Sequence, residues 1–125
     1  MNHLLQNFYT VQNIDAQEGS ISASIQLDPT HPIYQGHFPG APVVPGVCQM
    51  QLTKEIVSET LGKELSIVSA QNMKFMAVID PTKNSLLSVK INYQIESDND
   101  LNVDSSISYD TTTCFKFSGR YKLLQ

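Results

Sequence analysis

Polar and apolar residues alternate along most of the chain, a pattern that predicts β-strands. Residues 8–16 form a first run rich in aromatic and β-branched residues, and the turn-forming Gln17-Glu18-Gly19 follows it. From Ile21 to Leu27 every second residue is apolar, until Asp28-Pro29 ends the run. These two runs predict a β-hairpin whose Ser and Gln face is solvated.

The second half of the chain repeats the period of two. A β-type run extends from Leu65 to Ile79, is interrupted by Gln71-Asn72 and ends at Asp80-Pro81. Clean alternation then covers residues 87–95, 101–109 and 113–123, with turn-forming residues between the runs. These last three runs predict an antiparallel meander.

One segment breaks this pattern and predicts a helix from Pro45 to Leu61, ended by Gly62. Its apolar residues spread over most of the circumference, and its charges gather in the later turns. A helix of this kind is surrounded by protein. The elements therefore predict an α+β fold, with a curved antiparallel sheet wrapped around one long helix.

Composition is consistent with a compact fold and excludes several classes of function. The 125 residues are 41% hydrophobic and 16% charged, which predicts one globular domain spanning residues 1–125. A net charge of −4, with one arginine and seven scattered lysines, argues against a nucleic-acid partner. No window approaches the roughly 18 apolar residues of a membrane span, and no leader is visible, so we expect a cytoplasmic protein.

The two cysteines, Cys48 and Cys114, are too few for a disulfide framework, and we expect both to be small buried hydrophobic residues. No spacing of His or Cys suggests zinc, so we expect neither a metal nor a cofactor. We do not expect Cys48 to be a nucleophile, because nothing adjacent to it in sequence would lower the pKa of its thiol except the start of the helix.

The segment from His31 to Gln51, which leads into the helix, holds four of the six prolines and three of the six glycines. Proline fixes φ and glycine permits close approach, so the backbone there is specified residue by residue around His37. Turn punctuation is the alternative interpretation of such a composition.

Gly36-His37-Phe38-Pro39-Gly40, followed by Pro42 and Pro45-Gly46-Val47, resembles the 3-hydroxyacyl-acyl carrier protein dehydratases of fatty acid synthesis, which have the hotdog fold. Outside this stretch the likeness rests on element order and on Lys74-Phe75 followed by Asp80-Pro81. The resemblance implies a hotdog fold and a dimer with joined sheets. It also implies two sites across the interface, each with a histidine from one chain and a helix carboxylate from the other.

By this resemblance His37 is the base, and the backbone amide of Gly46 binds the thioester carbonyl. Phe38 and Val47 are further predicted substrate contacts. The carboxylate position, fourteen residues after the histidine, is Gln51 in this chain. A side-chain amide can hold a hydroxyl or a water but cannot deliver a proton at neutral pH.

Other residues near the motif have plainer interpretations. His37 itself could be a structural loop residue, Phe38 and Tyr34 could pack in the core, and Gln51 could satisfy a buried backbone group. Glu55 is the next carboxylate on the face of Gln51, about 6 Å further along the helix axis. We expect Glu55 to be solvated or paired with Lys54 or another neighbour rather than to replace the missing acid.

Three functions follow. The first is dehydration of 3-hydroxyacyl thioesters to trans-2-enoyl thioesters, a hydro-lyase reaction in which His37 is the base and Gln51 orients the hydroxyl. The second is a thioesterase, in which Gln51 or Glu55 positions a water. The third is a non-catalytic subunit that binds acyl chains or pairs with a catalytic homologue. The expected ligand is a thioester of acyl carrier protein or coenzyme A. Lys74, Arg120 and Lys122 are candidates for carrier docking, and scattered surface charges are the alternative interpretation, which we favour.

Overall fold

A computed structural model describes residues 6–35, 42–97 and 99–124 of the chain. The predicted hairpin, helix and meander are all present within these ranges. In chain order the elements are β1 (Tyr9–Gln17), β2 (Ser20–Leu27), a short 3-10 helix (Pro32–Gln35), α1 (Gly46–Leu61), β3 (Glu64–Phe75), β4 (Leu86–Ile95), β5 (Asp100–Tyr109) and β6 (Thr112–Leu124).

The six strands form one sheet with the order β1-β2-β4-β5-β6-β3, and every neighbouring pair is antiparallel. The meander β4-β5-β6 occupies consecutive positions, as its pattern predicts. Hairpin β1-β2 joins the meander through β2, whereas β3 crosses to the far side and pairs with β6. Periodicity could not give this order, since it does not specify which strands are neighbours.

One face of the sheet packs against α1, and the core lies between them. In β2 the alternating residues Ile21, Ala23, Ile25 and Leu27 are buried, because a period of two sends every second side chain to the same face. Residues of β4, β5 and β6 join the same apolar cluster as Leu52 and Ile56 of the helix. The α+β prediction, with a single long helix against an antiparallel sheet, is confirmed for the described residues.

The ends of α1 lie where the sequence predicts them. Pro45 is the N-cap, with an extended ψ of 147°, and Gly62 is the C-cap in the left-handed region, with a φ of 66°. Eight of the sixteen helix residues are buried, and four of these are polar: Gln49, Thr53, Glu55 and Ser58. The helix is thus enclosed on much of its surface, as its apolar distribution predicts.

The prediction that the third strand reaches Ile79 is wrong. Strand β3 ends at Phe75, and the N–H groups of Met76 and Ala77 both donate to the carbonyl of Cys114, at 2.7 and 3.3 Å. Further on, the carbonyl of Ile79 accepts a hydrogen bond from the N–H of Val44 at 2.9 Å. Of residues 76–79, Ile79 is buried in the core and Ala77 packs against it, whereas Met76 and Val78 are exposed.

No helix in the described ranges is long and apolar enough to cross a membrane. Both cysteines are free and buried, which confirms their prediction as small core residues.

Candidate functional site

The start of α1 is the first component of the candidate site. Gly46 is the first helical residue, and the carbonyl of Pro45 accepts from the N–H groups of Cys48 and Gln49 at 3.0 and 3.2 Å. Amides of the first helical turn have no acceptor within the helix, and Pro45 provides no side-chain cap. The N–H groups of Gly46 and Val47 therefore lie at the positive end of the helix macrodipole, where negative charge is stabilised.

An apolar cleft of about 380 Å³ opens beside Gly46. Its lining residues come from the segment before the helix, from the first helical turn, and from the end of β3 with the segment that follows: Val43, Val44, Gly46, Gln49, Phe75, Met76, Ala77 and Val78. Gln49 is only 4% exposed, and its Nε2 donates to the carbonyl of Val44 at 3.3 Å. The cleft has the composition of a site for an apolar group.

Glycine at position 46 leaves room for the ring of Phe75. A Cβ atom added to Gly46 would lie 2.6 Å from Cζ of Phe75, closer than side-chain atoms approach one another. The Phe75 ring is held in turn against the Phe115 ring, with centroids 5.0 Å apart. Glycine thus allows the end of β3 to pack directly on the start of the helix.

A second component lies about one and a half to two and a half turns further along the helix. Gln51 Nε2 donates to Glu55 Oε2 at 3.0 Å, and the hydroxyl of Tyr9 at the start of β1 donates to Glu55 Oε1, also at 3.0 Å. Glu55 is only 3% exposed. The expectation that Glu55 is solvated is therefore wrong, whereas its expected pairing with a neighbour is confirmed by Gln51. The side chain turns inward and also receives a donor from β1.

The carboxylate of Glu55 influences neighbouring groups. Burial, together with the charge of Glu55 and the hydrogen bond to it, raises the pKa of the Tyr9 hydroxyl well above its usual value. Burial also raises the pKa of the Cys48 thiol, and the charge of Glu55 adds to that effect. Cys48 is therefore held in the thiol form at neutral pH, as a core residue would be.

His37 and Phe38, the predicted base and a predicted substrate contact, lie outside the described residues. The segments that flank them are anchored. Before them Tyr34 is buried, with its ring 5.8 Å from that of Phe8, and after them Val44 is bonded to Ile79. This confirms the interpretation of Tyr34 as a residue that packs in the core.

The remaining predicted residues lie apart from the cleft. The Val47 side chain is 75% exposed and is not among the lining residues that the structure describes. Gln51 is partly exposed and meets Glu55 rather than the cleft. His31 bonds locally, since its Nδ1 accepts from the N–H of Ile33 at 3.1 Å. Among the described residues no group of three or more His, Cys, Asp or Glu side chains could hold a metal ion.

Comparison with known proteins identifies the family. Residues 13–114 match the ApeI-like model, which describes the ApeI dehydratase. The chain belongs to the ApeI-like dehydratase family. The matched region includes the helix start, the cleft and the Gln51–Glu55 pair of this ApeI-like protein, whereas Tyr9 lies just before it.

Curated relatives agree with this family. Over 83 residues the chain is 31% identical to the 3-hydroxyacyl-[acyl-carrier-protein] dehydratase FabZ of Rickettsia massiliae (strain Mtu5), a match that covers 60% of this chain and 57% of that protein. A match to FabZ of Caulobacter sp. (strain K31) is 36% identical over 59 residues, covering 40% of this chain and 36% of that protein. The ApeI-like chain thus spans about half the length of these relatives or less.

Solved structures confirm the hotdog fold. A chain of the dehydratase heterocomplex ApeI:P from Xenorhabdus doucetiae superposes with a TM-score of 0.74 and 26% identity, over 93% of this chain and 97% of that one. A hypothetical thioesterase from Streptococcus pneumoniae TIGR4, solved with coenzyme A, reaches a TM-score of 0.66 at 11% identity, over 93% and 85% of the two chains. At that identity the thioesterase shows the shared fold alone.

Sequence reasoning missed Tyr9, Gln49 and the wall formed by Phe75 to Val78. Glu55 was recognisable as the carboxylate one helical turn from Gln51, but only the tertiary structure reveals that Tyr9 covers it. The sequence did contain a signal for the cleft wall. The apolar run continues beyond the end of β3 at Phe75 and stops only at Asp80-Pro81, so it includes the residues that form the wall.

Proposed function

We propose that this protein dehydrates 3-hydroxyacyl thioesters to trans-2-enoyl thioesters, with His37 as base, the Gly46 amide as the donor to the thioester carbonyl, and Gln51 as the residue that orients the hydroxyl. The observation that carries the proposal is the apolar cleft that opens beside the uncapped amides of the helix start. Membership of a dehydratase family supports the reaction class.

The helix start suits the first half of the reaction. Removal of the proton at C2 moves negative charge onto the thioester oxygen, which then needs fixed hydrogen-bond donors. The N–H of Gly46 and the macrodipole, equivalent to about half a positive charge, supply such an environment.

His37 completes the proton transfers in this proposal. Its imidazole, with an ordinary pKa near 6.5, takes the C2 proton and becomes imidazolium. The imidazolium then returns the proton to the 3-hydroxyl, which leaves as water while the C2–C3 double bond forms. The proton transfers therefore balance without a carboxylic acid. Gln51 cannot act as that acid, because a side-chain amide does not give up a proton at neutral pH. Gln51 instead holds the hydroxyl in position.

The ligand is proposed to be a thioester of acyl carrier protein or coenzyme A. Phe38 and Val47 remain predicted substrate contacts, and the apolar cleft gives room for part of the acyl or thioester portion. For carrier docking Lys74 is the best supported of the three candidates, because it is exposed opposite the exposed Lys116 in the β3-β6 register and precedes Phe75, which lines the cleft. Lys122 Nζ lies 3.7 Å from the carboxylate of Asp100, and this ion pair makes Lys122 a weaker candidate for binding an acidic carrier.

A dimer through the β3 edge is proposed as the functional assembly. Strand β3 ends the sheet, and its edge carries the exposed apolar side chains of Ile67, Val68, Met73 and Phe75. A long apolar edge of this kind is normally covered. Pairing of two β3 strands would join the sheets and bring the helix of one chain toward the cleft of the other. The partner is a second copy or a homologous subunit.

A second candidate function is a partner subunit in a hetero-oligomer, without catalysis of its own. Gln51 at the acid position favours it, and a related structure is a heterocomplex. The thioesterase alternative rests only on the possibility that Gln51 or Glu55 positions a water.

One assay separates these functions. The purified protein is incubated with 3-hydroxyacyl and with saturated acyl thioesters of acyl carrier protein and of coenzyme A. Enoyl product supports the dehydratase, free thiol the thioesterase, and neither product the partner subunit. Unchanged enoyl formation by His37→Ala would contradict the assignment of His37 as base.

A further inference from the structure

We propose that Glu55 is a positioning residue: it fixes the amide of Gln51 so that the site presents a hydrogen-bond acceptor, and thereby selects ligands with a hydroxyl at C3 over ligands with a 3-oxo group. The observations are the burial of Glu55 and its hydrogen bonds to Gln51 and Tyr9. The ligand selection rests on the function proposed above, whereas the orientation of Gln51 does not.

The orientation follows from the chemistry of the two side chains. An ionised carboxylate can only accept hydrogen bonds, while the amide of Gln51 has a donor end and an acceptor end. Because Gln51 Nε2 lies 3.0 Å from Glu55 Oε2, the donor end is engaged. A flipped amide would bring two acceptors together, which is unfavourable. The carbonyl oxygen of Gln51 is therefore directed away from Glu55.

Tyr9 holds the carboxylate itself. Its hydroxyl donates to Glu55 Oε1 from the start of β1, so each carboxylate oxygen has a donor and the group cannot rotate without loss of one of them. At 3% exposure Glu55 is also shielded from water that would compete for these bonds. The orientation of the Glu55 carboxylate is thus fixed in part by a residue 46 positions away in sequence.

The consequence concerns the ligand. Gln51 is partly exposed, whereas Glu55 is buried. Of the groups hydrogen-bonded around Glu55, the side-chain carbonyl oxygen of Gln51 is therefore the one that can contact a ligand. A hydroxyl at C3 can donate to that oxygen. A 3-oxo group can only accept and would face another acceptor. Sites built for a hydroxyl discriminate strongly against analogues that lack one, because a polar group of the site is left unpaired.

The first arm of the test examines the free protein by NMR of the side-chain amides. Gln51→Leu identifies the Gln51 resonance by its loss. Glu55→Gln is nearly isosteric and removes the charge, and Glu59→Gln removes the same charge one turn further along. We expect Glu55→Gln to shift the Gln51 amide protons upfield, Tyr9→Phe to shift them less, and Glu59→Gln to leave them nearly unchanged. A Gln51 signal unaffected by Glu55→Gln would overturn the proposal.

The second arm measures binding of pantetheine analogues in which an amide replaces the thioester, one with a 3-hydroxyacyl and one with a 3-oxoacyl chain. We expect wild type to prefer the hydroxy analogue by at least about tenfold, and Glu55→Gln to reduce this preference to about threefold or less. A preference unchanged in a folded Glu55→Gln protein would overturn the selective role. If wild type binds neither analogue, the selective role and the proposed function both fail, while the NMR arm still decides the orientation of Gln51.

Discussion

The helix start and the turn at Gln51 lie on the same helix but are built in opposite ways. At the start, backbone amides without a side-chain cap adjoin an apolar cleft. Around Gln51, side chains from the helix and from β1 bond to one another over a buried carboxylate. The first region leaves donors for a ligand, whereas the second uses its donors to fix one amide. The difference teaches that one helix can keep its first backbone amides open toward a cleft while, further along, its side chains bond to one another around a buried carboxylate.

The largest expected effect comes from closing the helix start. Gly46→Ala would place Cβ 2.6 Å from Cζ of Phe75 and beside the amide that we propose binds the thioester. We expect turnover to fall by about 10²-fold or more, the scale of losing one oxyanion donor. The measurement is enoyl formation under saturating 3-hydroxyacyl thioester.

A double variant separates the two reasons for this loss. In Gly46→Ala/Phe75→Ala the ring no longer opposes the new Cβ, so thermal stability should return to that of Phe75→Ala. Turnover should stay low, because the methyl group still blocks the amide. Full recovery of turnover would show that Gly46 serves packing alone and would remove the contrast with the Gln51 turn.

The next effect comes from restoring an acid. Gln51→Glu places a second carboxyl group next to Glu55, where Nε2 now lies 3.0 Å from Oε2. Two carboxylates at this distance cannot both ionise readily, so one proton is retained near neutral pH and can be donated to the leaving hydroxyl. We expect dehydration to rise by about tenfold or more, within the usual range for general acid catalysis.

The control for this gain is Gln51→Glu/Glu55→Gln, which keeps one carboxyl group and exchanges its position with the amide. It should be more stable to heat than Gln51→Glu, since the repulsion is gone. A rate in Gln51→Glu that is unchanged or lower, in a protein that remains folded, would show that position 51 does not face the reacting hydroxyl.

A smaller effect is expected on stability. Tyr9→Phe removes the hydrogen bond to a buried carboxylate, and such bonds contribute about 1.5–3 kcal/mol. Urea unfolding should show a loss of that order. Tyr93→Phe, at a partly exposed position of β4, is the matched control and should cost less. Equal losses in both variants would mean that the contact between Tyr9 and Glu55 contributes little.

The smallest effect is a pH dependence that distinguishes the two regions. The folded-state pKa of Tyr9 is raised above the ordinary value of 10.0, so the stability it contributes is complete below pH 10 and is lost as pH rises above it. A single group gives a slope of at most about 1.4 kcal/mol per pH unit. Tyr9→Phe should flatten the alkaline loss of stability, whereas Gly46→Ala should keep it. Parallel curves for wild type and Tyr9→Phe would contradict this.

The sequence predicted those parts of the fold and site that depend on local order. Alternating residues gave the strands, Pro45 and Gly62 gave the helix ends, and the resemblance gave the hotdog fold. Strand order, the β3 end at Phe75 and the inward turn of Glu55 could not be predicted, because each depends on contacts between distant segments. Glu55 illustrates the reason: its helical position suggested solvent, and a tyrosine from another strand changed its environment.

The central claim is that the helix start stabilises an enolate formed by His37, and deuterium incorporation at C2 tests it most directly. The protein is incubated in D2O with a 3-hydroxyacyl thioester, and recovered substrate and enoyl product are analysed by mass spectrometry. We predict one deuterium at C2 of the recovered substrate with wild type, and none above background with His37→Ala. Absence of deuterium and of enoyl product with wild type, or equal incorporation by His37→Ala, would contradict the account.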